Sequence, residues 1–539
     1  MRIASSLHLL PKFSLHVLIC FLLLKIACPS VINPIPNFDL TTTSFEPKKS
    51  AYTVSGAVVN DWLGYSTKTA GDINKDGYAD ILIGASQSAF NKGIVYVIYG
   101  GPLNSFDDID FSLDSLDPAT TGFTIRGNAM NDRFGISVST AGDINQDGYD
   151  DIIVGAYGKN TAYVIYGRAS YTTNFDLGST PLDPATTGFM IQGVSGTQFG
   201  VTVSNAGDVN GDTYDDIIIG APIKDSSRGV AYVIYGKPSY TQNFDLSTTP
   251  LDPATTGFTI TGQNANDHFG GTVSTAGDMN GDTYDDLVIG AQDKDSNKGY
   301  GYVIFGSASP ANIDLSSGTV LDPATTGFTI AGPSSSSFFG FSVSHAGDVN
   351  GDTFSDIIIG GWGENSNAGA AYVIYGKPTY AQNIDLGAGS IDPTTTGFKI
   401  EGPGSNWNLG SAVSGAGDMN GDGYDEVLVG ADASNGLQGS AYVVYGQANP
   451  VTIQLSNGEL DPATTGFKIT GSGPNNNLGF GVGIAGDINN DGFSDILVGA
   501  YKKDSGKGAV YVLHAGKFMR GIGNNFFRLS DRSLHFMCE

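Results

Sequence analysis

Between residues 29 and 537 the sequence contains no cysteine; its three cysteines are Cys20, Cys28 and Cys538. That excludes a disulfide scaffold and thiol chemistry in the body of the chain. Basic residues are scarce, with 27 Lys and Arg against 54 Asp and Glu, for a net charge of −27. A nucleic-acid partner needs a basic face, so that class is excluded. Histidine is sparse. His8, His16 and His535 lie near the termini, and His268, His345 and His514 stand at unrelated points of the repeats described below. There is no Gly-x-Ser-x-Gly elbow and no phosphate-binding loop, and the chain reads as a non-enzyme. No Asn-x-Ser/Thr sequon occurs. Long apolar runs are also missing. The one near the N-terminus, Val17 to Leu24, is too short for a comfortable membrane span and is ended by Lys25. With Arg2 and Lys12 before it and the small residues Ala27 to Ser30 after it, residues 1–30 read as a secretory signal peptide. The expected location is therefore outside the cell, secreted or held at its surface, with no membrane span beyond that segment.

What is abundant is glycine, 76 residues, and repetition. An Asp-rich motif begins at Asp72, Asp143, Asp208, Asp278, Asp348, Asp418 and Asp487, in steps of 71, 65, 70, 70, 70 and 69 residues. Such a period marks a solenoid, a propeller or an array. Each unit has the same parts. In the second, Phe134 to Ser139 alternates apolar and polar residues as strand A, and the Asp loop follows. Ile152 to Ala156 is a short apolar strand B, Ala162 to Gly167 is strand C, and Gly188 to Gly193 is strand D. Four strands per unit without helical periodicity give an all-β fold of propeller blades. The linker between C and D carries an earlier apolar piece, such as Asn243 to Leu246, whose pairing the pattern leaves open.

The chain ends fix the closure. The first strand is of D type, Tyr52 to Gly56, and the last is of C type, Val510 to His514. The seventh A-B-C set lacks its own D. Pairing the two closes the ring and leaves no orphan sheet edge. The reading is a seven-bladed β-propeller over residues 31–516, closed by an N-terminal strand, with an irregular tail over 517–539.

The Asp loops place oxygen side chains at positions 1, 3, 5 and 9, where alternate side chains of a tight loop turn to one centre. An oxygen-only donor set suits calcium, while magnesium demands stricter octahedral geometry. The candidate ligands are Asp72, Asn74, Asp76 and Asp80 in the first loop, and Asp143, Asn145, Asp147 and Asp151 in the second. They continue as Asp208, Asn210, Asp212 and Asp216, then Asp278, Asn280, Asp282 and Asp286, then Asp348, Asn350, Asp352 and Asp356. The last two sets are Asp418, Asn420, Asp422 and Glu426, and Asp487, Asn489, Asp491 and Asp495. An EF-hand would need Glu at position 12 between helices, but Ile83 stands there within a strand. Metal-free Asp/Asn turns are the alternative. Loops one, two, six and seven have Gly at position 6 (Gly77, Gly148, Gly423, Gly492), whereas three, four and five have Thr213, Thr283 and Thr353 there and Gly at position 4. A β-branched residue resists φ > 0, so these three are expected to bind more weakly or to turn differently.

Phe134-Gly135, Phe199-Gly200, Phe269-Gly270 and Phe339-Gly340 open four units, Leu63, Leu409 and Leu478 replace the Phe in the others, and Gly220-Ala221-Pro222 and Gly155-Ala156 close strand B. Phe-Gly, Asp-x-Asn-x-Asp-Gly-x-x-Asp and Gly-Ala-Pro together resemble the FG-GAP repeat of the integrin α-subunit head, over roughly residues 35–516. The resemblance implies a seven-bladed propeller with calcium in the A–B hairpins and a role in extracellular adhesion. An integrin-type β-subunit partner is left open. FG-GAP repeats also accompany a phospholipase domain that cleaves glycosylphosphatidylinositol, and no such domain is found in this sequence.

Up-and-down strands put the A–B and C–D connections on one face and the B–C and D–A connections on the other. The expected ligand-binding face is the second, because it carries Trp62, Trp362 and Trp407, with Tyr157 and Tyr501 at the place of Trp362. Its ligand would be an extracellular protein or glycan. A carbohydrate-binding, lectin-like propeller is the alternative, and a hydrolase or lyase is the third reading. A plug for the ring mouth is the bland reading of the same rings.

Overall fold

The computed structural model describes residues 38–40, 51–389, 391–458 and 460–516. The signal segment over 1–30 and the tail over 517–539 lie outside the described residues. The described chain is all-β and forms seven separate sheets arranged as the blades of a closed propeller.

Each sheet holds five strands, one more than the repeat pattern predicts. In the first blade, A is Ser66–Gly71, B is Asp80–Ala85, C is Ile94–Ile98 and D is Gly122–Arg126, all antiparallel to their neighbours. The extra strand is Phe175–Asp176, from the C–D linker of the second blade, paired parallel to D through Phe175↔Ile125 and Asp176↔Arg126. The apolar piece in every linker does the same. It reaches back to the outer edge of the preceding blade and ties the two together.

Closure uses two N-terminal strands. The second, β2 (Ala51–Ser55), pairs antiparallel with Ala509–Leu513 as the D strand of the seventh blade. The first, β1 (Phe38–Asp39), pairs parallel with Gly466–Thr470 of the sixth blade and takes the place of a linker strand.

Hydrophobic alternation explains why the blades stack. There are seven core clusters, and each spans two adjacent blades, the last joining the seventh to the first. Between the second and third, Ile153, Val164 and Phe189 meet Ile217, Tyr232 and Ile234. The B strands are buried throughout, because both of their faces meet a neighbour.

The Phe-Gly and Gly-Ala pairs acquire a physical meaning here. Phe134 and its equivalents Phe199, Phe269, Phe339, Leu63, Leu409 and Leu478 are fully buried, each worth about 1.5–3 kcal/mol of burial. The glycine of Gly-Ala in one blade abuts the Phe-Gly glycine of the next. A Cβ on Gly84 would stand 2.1 Å from the Gly135 carbonyl oxygen, and one on Gly499 would stand 2.1 Å from that of Gly64. No side chain fits there, so the two glycines set the blade spacing around the ring.

Six of the seven B–C connections are a single left-handed turn, such as Ala89-Phe90-Asn91 with φ of 51°, 63° and 61°. The equivalents Asp225-Ser226-Ser227 and Asp295-Ser296-Asn297 use small polar residues that tolerate this conformation. Among the described residues, no helix is long and apolar enough to cross a membrane.

Candidate metal loops and recognition face

The Asp loops all lie in A–B hairpins. Strand A ends in a bulge at Thr69/Gly71, and the chain then winds through two left-handed positions before strand B begins at Asp80. Position 1 organises the loop. Asp72 accepts from the backbone N–H of Asp76 at 3.0 Å and of Gly77 at 2.9 Å. Asn74 Oδ1 accepts from the Asp76 N–H, and Asp76 Oδ1 accepts from the Tyr78 N–H. At position 9, Asp80 accepts from the Ile73 N–H at 3.1 Å and the Gly100 N–H at 2.8 Å. Gly100 begins the C–D linker, so that linker and the A–B loop do share one face.

All seven position-9 residues are fully buried. Burial pushes their carboxyls up, Asp216, Asp286 and Asp356 to about 8 and Glu426 to about 9. Asp80 and Asp151 rise well above the usual carboxylate range for the same reason, and the loop carboxylates beside them push the same way. Asp495 rises less, to about 6: burial lifts it, but the His514 imidazole 3.2 Å away offsets part of the effect.

Among the described residues, no trio of His, Cys, Asp or Glu side chains is gathered closely enough to hold a metal ion as it stands. The carboxylates at positions 1 and 5 face loop N–H groups instead. By chemistry the donors do fit a hard cation. They are oxygen alone, and burial pushes their position-9 member toward its neutral form. Two buried oxygens of the set, Asp151 Oδ2 and Asn489 Oδ1, have no hydrogen bond of normal geometry among the described residues.

The loops divide differently from the expectation. Positions 4 and 6 are left-handed in every loop: Lys75 and Gly77 have φ of 59° and 91°, and Gly211 and Thr213 have 76° and 78°. The three Thr loops therefore turn as the others do and carry strain instead. Space does not forbid a side chain at position 6, since a Cβ on Gly77 or Gly423 would meet nothing within 4 Å. Replacing Thr213, Thr283 or Thr353 by Gly should each raise stability by about 1 kcal/mol through relief of that strain, read from denaturant midpoints at a constant slope. Lowered midpoints would show that the threonines pack usefully.

Glycine at position 4 has its own reason. A Cβ on Gly211 would stand 2.5 Å from the Tyr284 ring of the next loop. Loop six differs elsewhere. The longer Glu426 accepts from Asn420 Nδ2 at 2.8 Å, an amide that in the first, third, fourth and fifth loops faces position 5.

A set of carboxylates that the motif reading passed over stands at position 8. Asp150 Oδ2 accepts from the Asp72 N–H at 2.6 Å, one blade back. Asp215, Asp285 and Asp425 do the same for Asp143, Asp208 and Asp348. The sequence signal is the doubled acid at the loop end, as in Asp150-Asp151, with Gly71 ahead of the preceding loop. A Cβ on Gly71 would lie 2.2 Å from Asp150 Oδ2. The carboxylate bond is missing at Ala79, Ser355 and Ser494, where the backbone N–H alone joins the loops by donating to the carbonyls of Asp487, Asp278 and Asp418.

On the opposite face, the Trp62 N–H donates to the Gly506 carbonyl, joining a D–A loop to a B–C turn. Trp62 stacks on Tyr65 at 5.8 Å and meets Tyr501 edge-on at 5.3 Å, and Phe480 lies 4.7 Å from both tyrosines. Tyr157 lies beneath Arg133, and both are within electrostatic reach of Tyr65. Trp362 stacks on Phe338 at 4.5 Å in the fifth blade, and Trp407 packs against the core between the fifth and sixth with Lys468 over its ring. All five predicted rings are packed against neighbours.

The freely exposed apolar groups are others. Phe90 is 80% exposed at the tip of the first B–C turn, and Met130 is 61% exposed in the next D–A loop. The Asn131 N–H donates to the Phe90 carbonyl, which holds those two segments together. Val58 and Val59 are exposed in the preceding D–A loop, which is bonded through Asp61 to Gln87 at the base of the same turn. The sequence signal was an aromatic where the other turns have Ser226, Ser296, Ser366, Gly436 and Ser505.

A family model described as the FG-GAP repeat matches residues 64–98, 134–166, 199–234, 269–304, 409–444 and 479–513. The fifth blade falls outside those spans. There strand B ends in Gly360-Gly361-Trp362, yet its sheet is built like the rest. Integrin alpha-PS2 of Drosophila melanogaster is 30% identical over 257 residues, covering 46% of this chain and 17% of that protein. Integrin alpha-V of Gallus gallus is 25% identical over 262 residues, 46% of this chain and 22% of that protein. Phosphatidylinositol-glycan-specific phospholipase D of Bos taurus is 29% identical over 198 residues, 33% of this chain and 21% of that protein. The chain thus spans about a fifth of the length of these curated relatives. With FG-GAP repeats matched in six of its seven blades, and with these relatives, the chain carries FG-GAP repeats and is integrin-α-like in sequence.

Proposed function

We propose that this protein is a calcium-stiffened extracellular recognition module of the adhesion class, with its ligand on the B–C and D–A face. The carrying observation is the division of labour between the faces. Cation-type loops occupy one, and the other presents an apolar patch of Val58, Val59, Phe90 and Met130 around the first blade. Phe90 sits at a left-handed backbone position, where an aromatic residue is unfavourable and serves no packing. Integrin α relatives support the adhesion class.

In each loop the side chains at positions 1, 3, 5 and 9 would hold calcium, with the position-7 carbonyl. The ion supplies the positive charge that the buried position-9 carboxyl lacks. The chain's own part is to fix the hairpins and, through the position-8 acids, to brace one loop on the next. The opposite face is then held rigid for a protein partner, and an integrin-type β-subunit would compete for the same patch.

The test is cell attachment to the immobilised protein in calcium. The double variant F90S/M130S is expected to reduce attachment at least tenfold with its melting temperature kept within a few degrees, since both side chains are exposed. Undiminished attachment would place recognition elsewhere. The packed tryptophans are a poorer choice for this test, because removing Trp62 or Trp362 also removes ring contacts that hold the blades.

A further inference from the structure

The seven repeats serve as controls for one another, and the fourth blade departs from the rest at two places that meet. Its C strand opens with Tyr300, where the other blades have Ile94, Thr161, Val230, Ala370, Ser440 and Ala509. Its linker from Leu315 to Leu321 is one residue longer than its counterparts, such as Leu246 to Leu251. Both departures line one cavity of about 390 Å³ between the C strand, the B–C turn and that linker. The blades fold without either feature, so neither is required by the scaffold.

The cavity mixes rings with hydrogen-bonding groups, and its one lysine, Lys294, is paired. Tyr300 and Tyr302 lie side by side at 6.3 Å. Lys294 at the back is paired with Asp267 at 3.3 Å and Gln263 at 2.7 Å. The Tyr300 hydroxyl donates to Asp295 at 2.7 Å. Asn383 accepts from the Thr329 N–H through Oδ1, which leaves its amide hydrogens for the cavity, and the Tyr302 hydroxyl makes no protein hydrogen bond among the described residues. Leu315 and Leu321 form an apolar floor, and Val320, 77% exposed, stands at the lip.

We propose that this cavity in the fourth blade is a binding site for a neutral saccharide. A pyranose presents apolar C–H faces and a belt of hydroxyls, which matches tyrosine rings flanked by amide, carboxylate and hydroxyl groups. An anionic sugar is disfavoured, because Lys294 is already satisfied by Asp267 and Asp295 stands at the same wall. The site is independent of the Phe90 patch and does not rest on the adhesion reading.

The test is saturation-transfer NMR on the full chain in calcium, with glucose, galactose, mannose and N-acetylglucosamine as probes. At least one is expected to receive transfer and to be displaced by its own excess. Y300V, which installs the residue of the third blade, should weaken that sugar at least tenfold and leave the melting temperature unchanged. F90S/M130S should bind the sugar as the parent does. Transfer to none of the four, or equal transfer with Y300V, would overturn the site, and neither result would bear on cell attachment through Phe90.

Discussion

Chelation of divalent cations is expected to lower the melting temperature by at least ~10 °C, and added calcium should restore it. Ligand that binds only the folded state stabilises by about 2.7 kcal/mol per site at a hundredfold excess over Kd. Seven loops stand to contribute, each with three oxygen side chains, at positions 1, 3 and 5, in the same nine residues as a buried acid. Without the ion, the position-9 carboxyl is either ionised without compensation or protonated, and burial pushes it toward the second. Like charges a few ångströms apart cost about 4 kcal/mol per close pair at an effective dielectric near 20. Hydrogen bonds from the loop N–H groups to Asp72 and Asp76 relieve part of that repulsion, so the chelated protein should remain folded at low temperature. Magnesium at equal concentration should restore less than calcium, because it resists the irregular coordination that these loops offer. A scanning calorimetry trace that is the same with chelator and with calcium would show that the loops are metal-free turns.

Truncating the closing strand should be the most damaging single change in the fold. Tyr52→Ala is expected to cost about 3–5 kcal/mol, as for other large buried rings. Tyr52 is buried in the seam between the seventh and first blades. It stacks on Phe106 at 5.0 Å and lies 5.8 Å from His514. Phe123 and Phe328 fill the same place in other blades, but their D strands belong to the same stretch of chain as the sheets they complete. β2 instead joins one end of the described chain to the other, through Ala51↔Leu513 to Ser55↔Ala509. Loss there exposes the C strand of the seventh blade as a sheet edge and opens the ring. Limited proteolysis should then cut Tyr52→Ala first near the seventh blade, whereas Phe328→Ala should be cut in the fourth. Identical cleavage patterns for the two would show that closure has no special weight.

The proposed recognition surface was only partly legible. The D–A and B–C loops could be assigned to one face from strand alternation alone, and Trp62 and Tyr501 do meet there. Exposure, however, follows from what a side chain finds to pack against. Trp62 finds Tyr65, Trp362 finds Phe338, and both are covered in part. Phe90 finds nothing, because its turn lifts it off the blade.

What the sequence by itself determined is the repeat and its closure. Period-2 alternation, glycine at fixed offsets and a D-type strand before the first A are local signals, and seven copies of each leave one consistent ring. It also placed the candidate oxygen donors of the seven loops, since their spacing is a property of nine consecutive residues. Only the tertiary structure decided what depends on neighbours far along the chain. It decided that each linker lends a fifth strand to the preceding blade, because a two-residue pairing such as Phe175↔Ile125 has no pattern of its own. It decided that Phe-Gly and Gly-Ala are one contact between blades, because Gly84 and Gly135 meet only when the sheets stack. And it decided that Asp150 braces the loop of Asp72, because that hydrogen bond spans 78 residues and exists only once the ring has brought the hairpins side by side.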